Sequence, residues 1–188
     1  ISLQLDSAGS LVTALDISPE SLKALVSCAR ELNISIQTIE ADASRPLPYP
    51  DRTFDCVWSS GLLEHFEIGQ RATMLREQAR VSRRLVIAVI PNSSCLAYQA
   101  GKHLAEKAGI WPYGVEHAIL ALHEEFDAAG LNVTVNGSVG PLHAVGFLTS
   151  RKSLQKQVSR LFRDAGPGPL AQWNQGYVQI VAGTVRTA

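Results

Sequence analysis

The apolar run Leu11-Val12-Thr13-Ala14-Leu15 ends in Asp16 and gives way almost at once to Ser18-Pro19-Glu20. The run suits a short strand buried on both faces. Ser18 supplies a helix N-cap and Pro19 takes the first helical position. Leu22, Leu25, Val26 and Ala29 then continue at helical spacing. A strand passing directly into a helix is the unit from which parallel sheets are built, and the pattern recurs along the chain.

Further strands are predicted over 34–39 and 54–58, and the six apolar residues Leu85 to Ile90, closed by Pro91-Asn92, form the clearest strand of all. Helices are predicted over 68–82, 93–108 and 117–129, the last stopped by Gly130. Residues 131–139 alternate as a strand should, 142–165 read as helix, Gly166-Pro167-Gly168-Pro169 is a hard break, and 177–185 is a closing strand. Ile1, Leu3, Leu5 and Ala8 before Gly9 read as the tail of a further helix. Some thirty-five residues separate the last two strands, against connections of roughly 2–6 residues in ordinary folds. An insertion of that length builds a lid or a substrate wall more often than a plain link. The expected fold is therefore α/β: a mostly parallel sheet with helices on both faces, in one domain spanning 1–188.

Composition excludes several function classes. Lysine plus arginine and aspartate plus glutamate both number 17 in 188 residues, and no basic run exceeds Arg83-Arg84, so nucleic acid is not favoured. No stretch approaches the roughly 18 apolar residues of a membrane span. The three cysteines form no CxxC pair, and Cys28 and Cys56 sit in apolar patterns that suggest buried thiols in a reducing, cytoplasmic setting. The five histidines lack metal-ligand spacing, so no metal is expected, and no GxSxG elbow is present.

Asp16 ends a strand at the carboxyl edge of the sheet, where open α/β folds bind ligands. Its two oxygens suit the hydroxyls of a ribose, including that of a nicotinamide cofactor; a helix cap or solvated loop aspartate is the plainer reading. Asp42, just after the second strand, can accept from an exocyclic amino group while the Ala43 backbone meets a ring nitrogen, or it can form an Asx-type turn. Gly61, following Ser59 and Ser60, allows close backbone approach to a ligand. Glu64 and His65 suggest an acid–base pair, though such a segment also serves structure. Trp111, Tyr113, Glu116 and His117 lie in one loop that can shape a pocket or anchor the next helix.

The order Asp16-Ile17-Ser18-Pro19, Asp42-Ala43, Leu47-Pro48-Tyr49-Pro50-Asp51-Arg52-Thr53-Phe54-Asp55, then Gly61-Leu62-Leu63-Glu64-His65 resembles the class I S-adenosylmethionine-dependent methyltransferases, in their small-molecule, type 11-like branch. The match runs to about Asn92 and weakens beyond it. The resemblance implies a Rossmann-like, seven-stranded sheet whose last strand is antiparallel and inserted between the fifth and sixth, with 11–15 as strand two. It implies a cofactor-binding half over 1–92 and an acceptor-side half over 93–188, with an insertion at 140–174. It places S-adenosylmethionine on Asp16, Ile17, Asp42, Ala43, Ser59, Ser60, Gly61 and Leu62. His65 is then a candidate base, and Trp111, Tyr113, Glu116 and His117 face a small-molecule acceptor. A non-catalytic cofactor-binding member of the fold is the alternative. The family's first strand and glycine-rich loop are absent from this sequence, which is expected to be a fragment of a longer chain, with strands two and four each left an unpaired edge.

Overall fold

The computed structural model describes residues 9–148, 152–165 and 174–186. The helix tail expected over 1–8 and the Gly-Pro break at 166–169 lie outside them. Backbone contacts group the chain into two units, Ile1–Pro50 and Asp51–Ala188.

In the first unit, β1 (Thr13–Asp16) pairs in parallel with β2 (Gln37–Glu40), Asp16 lying opposite Glu40. Between them runs α1 (Pro19–Glu31), capped as the sequence requires: the Ser18 hydroxyl accepts from the Ser21 N–H, and Pro19 opens the helix. Leu22 and Ala29 are its buried positions. Strand β1 is half-buried along its length and Leu11 is fully exposed, so the expectation of burial on both faces does not hold. Its ladder has one partner, and one edge is unpaired among the described residues.

In the second unit, the sheet order is β3 (Phe54–Ser60), β4 (Ser82–Pro91), β6 (Val178–Val185), β5 (Leu131–Val139). Strands β3 and β4 are parallel, and β6 runs antiparallel between β4 and β5, as the resemblance implied for the closing strand. Val86, Ala88 and Ile90, which share one face of the interior strand β4, are buried, and Leu85, Ile87 and Val89 on the other face are half-buried. Helix α2 (Ile68–Val81) packs Met74, Leu75 and Ala79 inward and carries the buried Arg71, which meets Glu125 at 3.1 Å. Helix α3 (Leu96–Lys107) follows β4, and the short α4 (His123–Ala128) precedes β5. The long connection before β6 holds α5 (Pro141–Leu148), which packs on α3, and α6 (Lys152–Ala165). Among the described residues no helix is long and apolar enough to cross a membrane.

Three expectations are corrected. The helix predicted over 117–129 is confined to α4, since the His117 N–H donates to the Glu64 carbonyl at 2.7 Å and the Ile119 N–H to Ser93 Oγ at 2.9 Å. Those bonds tie 117–119 to other segments as an irregular loop, and the first intrahelical bond runs from the Phe126 N–H to the Leu122 carbonyl. The stretch 142–165 forms two helices. Cys28, off the α1 face that buries Leu22 and Ala29, and Cys56 on β3 are exposed, while Cys95 is the buried thiol.

Candidate functional site

Two neighbouring carboxylates mark the carboxyl ends of β1 and β2. Asp16 Oδ1 accepts from the Ser18 N–H at 2.8 Å, a turn that aims the chain into α1. Its second oxygen has no protein partner among the described residues. Ile17 beside it is two-thirds exposed, an apolar side chain left at a strand end. Asp42 Oδ1 accepts from both the N–H and the hydroxyl of Ser44, at 2.8 and 2.7 Å. These bonds, the hydroxyl's foremost, hold the Asp42 carboxyl below the usual carboxylate range. The Asx-type turn weighed for Asp42 is thus the turn it makes, and Ala43 lies within it.

The loop from Leu47 to Asp55 ends in a tight turn at Asp51-Arg52, where Arg52 adopts φ 56°. Its acidic residues have structural partners: Asp51 meets Arg80 at 2.6 Å and Asp55 meets Arg83 at 3.5 Å.

At the end of β3, the Gly61 N–H donates to the Val89 carbonyl at 3.0 Å, extending the β3–β4 ladder past Ser59 and Ser60. Gly61 takes φ 64°, a conformation that favours glycine, and turns Leu62 into a single helical turn over Leu63–His65. This turn is tied to the loop at 115–117 by the His117-to-Glu64 backbone bond and by His65 Nδ1, 2.8 Å from the Val115 carbonyl. The carbonyl can only accept, so Nδ1 carries the proton and Nε2 bears the lone pair.

Four of the predicted residues therefore meet around one small cavity or its rim: Glu64, His65, Glu116 and His117. The Glu64 side chain is buried and its Oε2 has no hydrogen-bond partner among the described residues. Burial pushes its carboxyl above the usual range, against the pull of nearby backbone bonds and of His65, and the facing Glu116 adds to the rise. The Glu116 side chain, itself buried, accepts from the Tyr98 hydroxyl at 2.6 Å and pairs with Lys102 Nζ at 3.1 Å. Burial and that acceptor raise the Tyr98 phenol well above its ordinary value. His117 Nε2 lies 3.7 Å from Glu67 on the exposed side.

Trp111 and Tyr113 stand differently. Trp111 joins an aromatic cluster with Tyr98 and Phe147, ring centres 6.1 and 6.3 Å away, and is half-buried. Tyr113 stacks edge-on against Trp111 at 5.1 Å and is exposed. Tyr98 and Lys102 were not among the sequence candidates. Their signal was their four-residue spacing, which puts a phenol and an ammonium on one face of α3.

The matching family model is described as a methyltransferase domain and aligns with residues 1–84. Among solved structures, a methyltransferase from Methanosarcina mazei is 14% identical, with TM-score 0.65 over all of this chain and 88% of its own. Magnesium protoporphyrin IX methyltransferase from Synechocystis, solved with bound SAH, is 17% identical, with TM-score 0.63 over 98% of this chain and 68% of its own. The chain carries the class I methyltransferase fold. That fold does not by itself dictate the reaction, since the [4+2]-cyclase SpnF, 19% identical, aligns with TM-score 0.64 over 99% of this chain and 70% of its own. No protein of curated function matches. The methyltransferase domain family uses S-adenosylmethionine, which another structure of the Synechocystis enzyme holds.

Proposed function

We propose that this protein transfers a methyl group from S-adenosylmethionine to a small-molecule acceptor. The observation that carries the reading is the placement of Asp16 and Asp42 at the carboxyl ends of two paired parallel strands, within the residues that match a methyltransferase domain. The residues fit the group. Asp16 keeps one oxygen for a ribose hydroxyl, and the exposed Ile17 offers an apolar surface to an adenine ring. Asp42 and Ala43 take the base edge, and Ser59 to Leu62 the methionyl side.

When bound, the cofactor supplies a sulfonium-activated methyl group, so the protein's task is alignment and exclusion of water. His65 Nε2 accepts the acceptor's proton where the nucleophile carries one. Trp111, Tyr113, Glu116 and His117 shape the acceptor's surroundings. In this reading 1–92 form the cofactor side and 93–188 the acceptor side of one domain. All three cysteines are free thiols, which suits a cytoplasmic location.

Calorimetry of the full-length gene product with S-adenosylmethionine and with NADH tests the cofactor. Binding of the methyl donor alone, weakened at least tenfold in Asp16→Ala, is expected. Binding of NADH instead, or indifference to Asp16→Ala, would overturn the reading. Methyl-donor binding without turnover across oxygen, nitrogen and sulfur nucleophiles would replace it with a non-catalytic role.

A further inference from the structure

The turn at Leu63–His65 and the loop at 115–117 bring together side chains that are far apart in sequence. A carboxylate oxygen of Glu64, a carboxylate oxygen of Glu116 and a ring nitrogen of His65 all lie within 4.8 Å of one another. Ligand atoms sharing one ion at roughly 2.0–2.2 Å are up to about 4.4 Å apart, so side-chain adjustments of a few tenths of an ångström suffice to close a site.

Three further observations point to a cation. Glu64 is 4% exposed and its Oε2 has no hydrogen-bond partner among the described residues. It lines a cavity of about 40 Å³ together with Ser93, Tyr98, Lys102, Glu116 and His117, room for a water beside the three ligand atoms. The charges around it do not balance. The side chains of Glu64 and Glu116 are two buried carboxylates, and the ammonium of Lys102 on α3 sits on Glu116 at 3.1 Å and on Glu106 at 3.4 Å. The Glu64 carboxylate, when ionised, has no ion-pair partner among the described residues, which is costly.

His65 completes the set. Its Nδ1–H is committed to the Val115 carbonyl at 2.8 Å, which leaves Nε2 as the lone-pair nitrogen in a fixed tautomer. Histidines that bind metals are held in this way, by a backbone carbonyl or carboxylate on the far nitrogen. Glu116 is likewise oriented, by the Tyr98 hydroxyl at 2.6 Å.

We propose that Glu64, His65 and Glu116 bind a divalent transition-metal ion of the Zn²⁺ or Mn²⁺ class. One imidazole with two carboxylates suits these ions better than Mg²⁺ or Ca²⁺, which take oxygen alone, or Cu⁺, which prefers thiolate. The Lys102 charge beside Glu116 opposes the ion and sets its affinity below that of an all-anionic cage. The proposal concerns ion binding and shares His65 and Glu116 with the acceptor side of the proposed function. If His65 also serves as a base, proton and ion compete for the same Nε2 lone pair.

The test uses the full-length protein, stripped with chelator and with its thiols alkylated so that cysteine cannot capture the ion. Co²⁺ is titrated and read by its visible d–d absorption, and Mn²⁺ by loss of its free EPR signal. One equivalent of saturable binding, displaced by Zn²⁺, is expected, with affinity at least tenfold weaker in Glu64→Gln and in His65→Gln. His65 is exposed, so its variant is expected to fold even if Glu64→Gln does not, and Glu116→Gln gives a third reading. The proposal is overturned by absence of one-equivalent binding. It is equally overturned if binding persists unchanged in His65→Gln.

Discussion

The Tyr98 hydroxyl donates to Glu116 Oε2 at 2.6 Å from within an aromatic cluster, its ring 5.1 Å from Phe147 and 5.4 Å from Tyr177. The same residue thus fixes a carboxylate at the candidate site and fills the layer beneath it. Tyr98→Phe keeps the ring contacts and deletes only the hydrogen bond to a buried charged group. Such a loss costs about 1–3 kcal/mol. Denaturant unfolding should show that loss of stability, and near-UV circular dichroism should show an unchanged aromatic signal. Equal stability of variant and parent would mean that Lys102 alone satisfies Glu116.

Gly101 is where α3 and α5 touch. A Cβ there would lie 2.3 Å from the Phe147 carbonyl oxygen, which is backbone and cannot swing aside. Gly101→Ala should therefore destabilise by about 1–3 kcal/mol through overpacking. Gly146, on the facing helix, has nothing within 4 Å of its would-be Cβ. Gly146→Ala should stabilise by about 0.4–1 kcal/mol, since alanine restricts the unfolded chain and favours helix. Thermal melts of the pair should move in opposite directions. A shared direction would contradict the helix contact described here.

These interactions show what sequence can and cannot reveal. Strand β5 was legible to the residue because its alternation is bounded by Gly130 and Gly140. Helix α2 was legible because its apolar positions keep helical spacing, and α1 because Ser18 and Pro19 mark its start. Local pattern failed at 117–122, which has helical composition but is held as a loop by tertiary bonds from His117 to Glu64 and from Ile119 to Ser93. At the site, the residue types at 64, 65, 116 and 117 were legible as candidates. Their convergence was not, because only the folded chain brings the loop at 115–117 against the turn after β3. The partners Tyr98 and Lys102 were hidden for the same reason. Asp51 and Asp55, read as parts of a family loop, turn out to hold α2 and β4 through Arg80 and Arg83.

Arg71 and Glu125 form a buried ion pair, with Arg71 Nε also 3.2 Å from Glu125 Oε1 and its Nη1 donating to the Phe66 carbonyl at 3.1 Å. Removing one partner strands a charge in the interior. Glu125→Leu should cost about 3–5 kcal/mol. The double variant Arg71→Met with Glu125→Leu should recover most of that, since two apolar side chains need no compensation. A double-mutant cycle by chemical denaturation measures the coupling. Additive losses would show that the pair is not coupled in solution.

Glu64 and Asp42 shift in opposite directions, and the sign of each pH effect follows. The Glu64 carboxyl is raised by burial, so the folded state holds its proton at pH values where the unfolded chain has released it. Its contribution is complete below the ordinary value of 4.5 and is lost as pH rises through the raised folded value. Asp42 is lowered by the Ser44 hydroxyl and N–H, so its contribution is present above 3.8 and lost as pH falls through the depressed folded value. In chelator-stripped protein, Glu64→Gln should abolish the decline in melting temperature on the alkaline side of 4.5 while leaving the acid side untouched. Ser44→Ala should do the reverse, raising the Asp42 titration midpoint seen by NMR and reducing the acid-side loss. An alkaline-side decline that survives in Glu64→Gln would assign it to another group and place the Glu64 carboxyl in contact with solvent.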